Sequence, residues 1–350
     1  MRRPHLHPRL GLMLLALVLP ATLAACGEGT GATGATGDSD RTVGVAYDLG
    51  GRGDGGFNDL AYAGATQAAE SMDAKVMESS ARAEDTDADR TARLKLMAEG
   101  GANPVVAVGY LYAPSVAEVA EQFPETWFAI VDDDTITADN VVSLTFAANE
   151  GSFLVGVAAA LQSETGQVGF IGGVNTPLIN EFEAGFAAGV EAADNGVELD
   201  TAYLTQPPDF NGFNDPQRGA EAAAGMYDSG VDIIFAAAGG SGQGVFETAA
   251  KVGAKAIGVD NDQYETAEPP LNEVIITSML KRVDVGVEQF ISSVEDGTVT
   301  SGTTKLNLSS EGVGYATSGD FLSPETIKAV DAFAEKIKSG ELAVPRSVDQ

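Results

Sequence analysis

The chain has 350 residues, a formal net charge of −31 at pH 7 and a single cysteine. A surface this acidic does not attract nucleic acid or anionic lipid through its electrostatic field. Both histidines, His5 and His7, precede the cysteine, Cys26. The chain after Cys26 therefore lacks the groups for Ser-His-Asp or Cys-His catalysis and for a histidine-bound zinc ion, while catalysis by carboxylates remains open.

The first predicted element is a lipoprotein signal peptide over residues 1–25. Its basic start precedes an apolar stretch, Leu10–Leu19, that is too short for a membrane-spanning helix. The small residues of Leu23–Ala25, directly before Cys26, form the pattern that a lipoprotein signal peptidase cleaves. We predict that acyl chains on Cys26 anchor the protein to the extracytoplasmic face of the cell membrane. The alternative is an ordinary signal peptide that happens to contain a cysteine.

Residues 26–40 are rich in glycine, threonine and alanine and have no apolar periodicity, which is typical of a flexible tether. The remaining length is typical of two domains. No later stretch approaches eighteen uninterrupted apolar residues, so we expect no second membrane span.

From Thr42 onward, short apolar runs alternate with amphipathic stretches. The apolar runs predict strands at Thr42–Asp48, Lys75–Glu78, Pro104–Val108, Trp127–Val131, Val141–Thr145, Gln167–Ile171, Asp200–Leu204, Ile233–Ala237, Lys255–Val259 and Ile275–Met279. The amphipathic stretches predict helices at Asn58–Met72, Asp85–Glu99, Pro114–Gln122, Gly151–Gln162, Ile179–Asn195, Pro216–Ser229, Gly244–Val252 and Val283–Val294.

This alternation predicts an α/β fold of two doubly wound lobes, each built on a parallel sheet with helices on both faces. We expect an N-terminal lobe of residues 41–147 plus about 276–308. The C-terminal lobe is expected to contain residues 148–275 plus about 309–345. The chain would then pass between the lobes several times, through a multi-strand hinge.

Polar residues or glycine follow several of the predicted strands: Asp48, Asp132, Gly239 and Asp260. Ligands of open α/β sheets bind outside the carboxyl ends of the strands. Two lobes that face each other across such edges form a cleft that can close on a small molecule.

The loop Asp48–Asn58 contains five glycines, and Phe57 follows them before the first helix. Glycines allow close approach of the backbone to a ligand. An aromatic side chain at this position suits stacking on a flat ligand, although a mobile surface loop would have a similar composition. The glycine-rich segment after Ala238 does not match the dinucleotide-binding pattern cleanly, and a helix N-terminus at the cleft accounts for it.

The chain resembles the basic membrane protein family, lipoproteins that bind purine nucleosides for ABC importers. Besides the first loop, the similar segments are Phe128–Asp133, Val142–Phe146, Glu150–Gly156, Gly169–Gly173, Phe182–Phe186, Phe213–Pro216, Ala238–Gly244, Gly258–Asp260 and Ser278–Asp284. Two features depart from the family: Gly55 and Gly56 stand where a bulkier polar pair is expected, and the chain is strongly acidic.

The resemblance implies a type I periplasmic-binding-protein fold and a purine nucleoside, such as guanosine, inosine or adenosine, bound between the lobes. Phe57 and Phe213 would sandwich the base, with Phe210 and Phe182 as rivals of Phe213. Asn58 and Asp132 would hydrogen-bond the purine edge, with Asp133 competing for the role of Asp132. These expectations concern the base-binding half of the site.

For the sugar, the resemblance implies that Asp260 accepts both ribose hydroxyls, that Lys281 donates to the sugar and that Gly239 offers a backbone contact. Asp48 would contact the ligand or position Asn58. The implied protein is a monomer without cofactor, metal or catalytic residues, and its partners are a nucleoside, a membrane permease and the membrane through the lipid on Cys26. No nucleic acid is expected.

Three other functions remain open from the sequence. The cleft could bind a sugar or another small signalling molecule. A carboxylate-based nucleoside hydrolase would place several aspartates around a calcium ion, and Asp132–Asp134 is the candidate run. A role as an adhesin or surface antigen could coexist with transport.

Overall fold

The computed structural model describes residues 41–348. The predicted signal peptide, Cys26 and the tether lie outside the described residues. Among residues 41–348, no helix combines the length and the apolar character that crossing a membrane requires.

Two six-stranded sheets form the core of the described chain. The first sheet contains β1 (Thr42–Tyr47), β2 (Lys75–Ser80), β3 (Ala102–Ala107), β4 (Phe128–Val131), β5 (Val141–Phe146) and β11 (Gly302–Leu306). The second contains β6 (Gln167–Val174), β7 (Glu198–Thr205), β8 (Ile233–Ala237), β9 (Lys255–Asp260), β10 (Ile275–Lys281) and β12 (Val313–Tyr315).

The strand orders are β11-β5-β4-β3-β1-β2 and β12-β10-β9-β8-β6-β7. All strand pairs are parallel except β10 with β12. The central strands β4 and β8 are buried along their whole length, because helices cover both faces of each sheet.

The helices are α1 (Phe57–Ser71), α2 (Asp87–Glu99), α3 (Ala113–Gln122), α4 (Ala148–Gln162), α5 (Pro177–Ala192), α6 (Pro216–Ser229), α7 (Gly242–Val252), α8 (Gln263–Thr266), α9 (Val283–Glu295) and α10 (Pro324–Lys338). Every strand and helix predicted between Thr42 and Val294 is present, with ends shifted by a few residues. The structure also contains α8, α10, β11 and β12, which the sequence patterns do not predict. The fold class of two doubly wound α/β lobes is confirmed.

The chain passes between the lobes at three points that lie side by side. The Ala147 amide donates to the Leu306 carbonyl at 2.8 Å, the Leu308 amide donates to the Glu150 carboxylate at 2.9 Å, and the Arg282 amide donates to the Gly312 carbonyl at 2.9 Å. The second passage follows Lys281, whereas the sequence predicts it at about 276. Strand β10 pairs with β9, and a strand's own sequence does not reveal which sheet it joins.

Candidate ligand-binding site

A cavity of about 640 Å³, which includes its opening to solvent, lies between the carboxyl edges of the two sheets. The lobes touch around it: the Thr266 hydroxyl lies 3.4 Å from the Gly55 carbonyl, and the rings of Tyr110 and Phe210 meet edge to face with centroids 6.4 Å apart.

The structure brings most of the predicted site residues to this cavity. Nine of them line it: Asp48, Phe57, Asn58, Asp132, Phe182, Phe213, Gly239, Asp260 and Lys281. Asp133 and Phe210 do not line it. Asp133 instead accepts hydrogen bonds from the amide and hydroxyl of Thr135.

Hydrogen bonds from backbone amides to two carboxylates hold the glycine-rich loop in place. Asp54 accepts from the amides of Gly56, Asn58 and Asp59 at 2.9–3.2 Å, and these groups open helix α1. Asp59 accepts from the amides of Gly53 and Gly55 at 2.8 and 2.9 Å. The loop therefore has a defined shape despite its glycines, and it presents Phe57 to the cavity.

The Asn58 side chain, predicted to read the purine edge, makes its hydrogen bonds within this loop. Its amide nitrogen donates to Asp54 at 3.0 Å and weakly to the Leu49 carbonyl at 3.5 Å, and its oxygen accepts from the Asp48 amide at 3.0 Å. One lone pair of that oxygen is left for a ligand. The geometry thus links Asn58 to the position of Asp48.

A buried ion pair crosses the cleft. The Lys281 ammonium lies 2.5 Å from the Asp132 carboxylate, and both side chains are less than 5 % exposed. The ammonium also lies 4.6 Å from the centroid of the Phe57 ring and 5.8 Å from that of Phe182. Because Asp132 follows β4 in one lobe and Lys281 ends β10 in the other, the pair ties the two lobes together beside the aromatic residues.

Two further carboxylates that line the cavity, those of Asp260 and Asp48, have raised pKa values. Burial raises the pKa of Asp260 to about 7, Lys281 opposes the rise, and Asp132 and Asp54 add to it. Burial likewise raises the pKa of Asp48 to about 6, against its hydrogen bond to the Leu49 amide and the charge of Arg90. One oxygen of Asp48 is buried without a partner among the described residues. A ligand with several hydrogen-bond donors would satisfy these groups.

Gly109 and Tyr110, which follow β3, also line the cavity and were not predicted from the sequence. Gly109 has a φ of +100°, and a Cβ there would lie 2.3 Å from the Asp48 carboxylate. The Tyr110 hydroxyl is buried without a hydrogen bond of normal geometry among the described residues. Burial raises the pKa of Tyr110 to about 12, the charge of Asp48 adds to the rise, and the Thr176 side chain opposes it. The hydroxyl therefore stays protonated and able to donate.

The raised pKa of Asp260 predicts a pH-dependent stability. The folded state holds this proton more tightly than the unfolded state, so the contribution of Asp260 to stability falls as the pH rises from about 4 through 7. We expect Asp260→Asn to raise the free energy of unfolding at pH 8 by about 1–3 kcal/mol, with no gain at pH 4. Denaturant unfolding at both pH values tests this, with exposed Asp139→Asn as the control. An equal gain at pH 4 and pH 8 would contradict it.

Comparisons with known proteins agree with this architecture. A sequence model of the family described as PnrA-like ABC transporter substrate-binding proteins matches residues 41–348. A CD4+ T-cell-stimulating antigen of Listeria monocytogenes is 35% identical, over 87% of this chain and 88% of its own length. The ABC transporter nucleoside-binding protein BmpA of Lactococcus lactis is 29% identical, over 95% and 97%. The crystal structure of an ABC transporter solute-binding protein from Aeropyrum pernix superposes with a TM-score of 0.76 at 28% identity, over 88% and 94%.

Proposed function

The chain belongs to the Bmp family of PnrA-like ABC transporter substrate-binding proteins, and from this premise we propose that it captures purine nucleosides in the cleft and delivers them to a membrane permease. Guanosine, inosine and adenosine are the expected ligands. The relative that is named a nucleoside-binding protein supports this ligand class.

The observation that carries the proposal is the pairing of two aromatic side chains with buried carboxylates in one cavity. Phe57 comes from the N-terminal lobe and Phe213 from the C-terminal lobe, and both line the cavity. Stacking of a base on an aromatic side chain contributes about 1–3 kcal/mol per base. A purine between these two rings would leave its ribose hydroxyls to meet the carboxylates.

We assign the polar roles from the contacts in the cavity. Asp260 accepts no hydrogen bond from residues 41–348 and can accept two ribose hydroxyls. Lys281 has donors to spare beyond its bond to Asp132. Asp132 accepts from the purine edge, and Gly239 offers a backbone contact at a φ of +54°. Asn58 and Asp48 complete the site, with Asn58 mainly holding the loop.

In the proposed setting, acyl chains on Cys26 hold the monomeric protein at the extracytoplasmic face of the membrane, and the tether of residues 26–40 lets the lobes reach the permease. The protein binds its ligand without a cofactor and releases it chemically unchanged. The calcium-dependent hydrolase is the weaker alternative, because no cluster of three acidic residues suited to a metal ion occurs in the described part of the chain.

Replacing Phe213 with alanine is expected to weaken the binding of inosine by roughly one to two orders of magnitude, since one stacking face is lost. Isothermal titration calorimetry measures this directly. Phe210→Ala removes the rival ring and is expected to have a smaller effect. Phe333→Ala, which removes a ring packed on Phe153 away from the cavity, serves as the control.

The same titrations separate nucleosides from sugars. If the wild-type protein released heat with ribose or glucose but with no nucleoside, the ligand assignment would fail while the fold would stand. If Phe213→Ala bound inosine as tightly as the wild-type protein, the sandwich would be wrong.

A further inference from the structure

Phe213 lies on a loop with backbone hydrogen bonds of its own, from the Phe213 amide to the Phe210 carbonyl at 3.3 Å and from the Asn214 amide to the Asn211 carbonyl at 2.8 Å. The loop leaves β7 after Thr205, includes the 3₁₀ turn Asn211–Phe213 and enters α6 at Pro216. The Phe213 ring packs closely on Gly173 of β6, where an added Cβ would lie 2.5 Å from the ring. The backbone of β6 therefore supports the ring, and further hydrogen bonds fix the loop backbone on either side of Phe213.

Ser241, a fully buried residue directly before α7, supplies these hydrogen bonds. Its hydroxyl donates to the Gly212 carbonyl at 2.8 Å and accepts from the Asp215 amide at 2.7 Å. The hydroxyl thus directs its donor and one of its two acceptor lone pairs to the backbone on the two sides of Phe213. Ser241 does not itself line the cavity.

Ser241 is itself held firmly in place. Helix α6 crosses it so closely that a Cβ on Gly219 would lie 2.2 Å from the Ser241 carbonyl. Loss of this buried hydroxyl would leave the Gly212 carbonyl and the Asp215 amide without the partner that it provides. The loop would then rearrange to satisfy them, and the Phe213 ring would move with it.

We propose that Ser241 is a positioning residue that holds the Phe213 ring in the cleft and so tunes affinity for the base without touching it. This inference deepens the nucleoside-binding proposal and rests on it for the identity of the ligand. It predicts that the effect of Ser241 on binding exists only while Phe213 is present.

A double-mutant cycle with inosine tests the proposal. Ser241→Ala is expected to raise the dissociation constant about five- to twentyfold in the wild-type background. In the Phe213→Ala background, the same change is expected to have less than about a twofold effect. Equal factors in both backgrounds, or no effect in the first, would overturn the proposal.

Thr248→Val is the matched control, because it deletes another buried hydroxyl between the same two helices. The Thr248 hydroxyl donates to the Gly244 carbonyl at 2.8 Å and lies outside the cavity lining. It is expected to lower the melting temperature without changing the dissociation constant. If Ser241→Ala proves too unstable to purify, Ser241→Cys keeps the side chain's size with weaker hydrogen bonds, and a smaller change of the same sign is expected.

A second readout does not need a ligand. In protein labelled with ¹³C-phenylalanine, the Phe213 ring signals, identified with Phe213→Leu, are expected to shift or broaden in Ser241→Ala and to stay unchanged in Thr248→Val. Unchanged signals in Ser241→Ala would overturn the positioning role. If the wild-type protein binds no nucleoside, the ligand assignment fails, and these spectra still decide the role of Ser241.

Discussion

Replacement of Lys281 with methionine is expected to abolish measurable nucleoside binding and to lower the free energy of unfolding by about 3–5 kcal/mol at pH 8. Lys281 is 2 % exposed. It is the one cationic side chain among the described residues that line the cavity, and it faces the carboxylates of Asp48, Asp54, Asp132 and Asp260. Methionine fills a similar volume but leaves Asp132 buried without its partner. The charge that holds down the pKa of Asp260 disappears as well.

The pH dependence and a second substitution separate this effect from simple loss of packing. The destabilisation by Lys281→Met should shrink toward pH 5, because Asp260 and Asp48, whose pKa values burial raises to about 7 and about 6, take up protons there. Lys281→Met combined with Asp132→Asn removes both charges and is expected to recover a large part of the lost stability.

Lys338→Met is the control, because Lys338 pairs with Glu335 on the surface with 40 % and 74 % side-chain exposure. Exposed pairs of this kind contribute about 0–1 kcal/mol. Chemical denaturation measures the free energy of unfolding, and calorimetry measures nucleoside binding. A Lys281→Met protein as stable as the wild type at pH 8, or one that still binds inosine tightly, would contradict the assigned role.

The second large effect concerns the contact between α4 and α5 in the C-terminal lobe. Their backbones approach so closely that a Cβ on Gly185 would lie 2.1 Å from the Asn149 carbonyl, and one on Gly189 would lie 2.1 Å from the Phe153 carbonyl. Gly185→Ala is therefore expected to destabilise the protein by about 2–4 kcal/mol, because two packed helix backbones have to separate.

Gly225→Ala is the matched control for this prediction. Gly225 lies on the exposed side of α6, and a Cβ there would meet nothing within 4 Å. Alanine is a better helix former than glycine, so this variant is expected to gain about 0.5–1 kcal/mol. Equal stability of the two alanine variants in urea would show that the helices can separate at no cost and would contradict the close packing.

Much of the fold follows from periodicity in the sequence. Strands β4 and β8 are continuous apolar runs, and α5 and α6 are amphipathic stretches with clear ends, so their positions were predicted well. The second passage of the chain between the lobes was predicted about five residues too early, because the sequence of β10 is compatible with either sheet. Helix α10 and the short strands β11 and β12 follow the last predicted helix, and their pairing depends on contacts distant in sequence.

The residues of the site likewise divide into those that the sequence predicts and those that it does not. Residues at the ends of strands, such as Asp132 and Asp260, could be predicted because parallel strands place their carboxyl ends at one edge. The places of Tyr110 and Ser241 could not be predicted, because both residues make their contacts with residues far along the chain. The Asn58 amide was assigned to the ligand from the family resemblance, while in the structure Asp54, four residues earlier, binds it.

Titration of inosine into the purified wild-type protein, followed by analysis of the recovered ligand, tests the central claim most directly. We expect saturable binding of one inosine per chain and recovery of intact inosine. Absence of binding by inosine, guanosine and adenosine alike, or recovery of free hypoxanthine, would contradict the claim that this protein is a nucleoside receptor for transport.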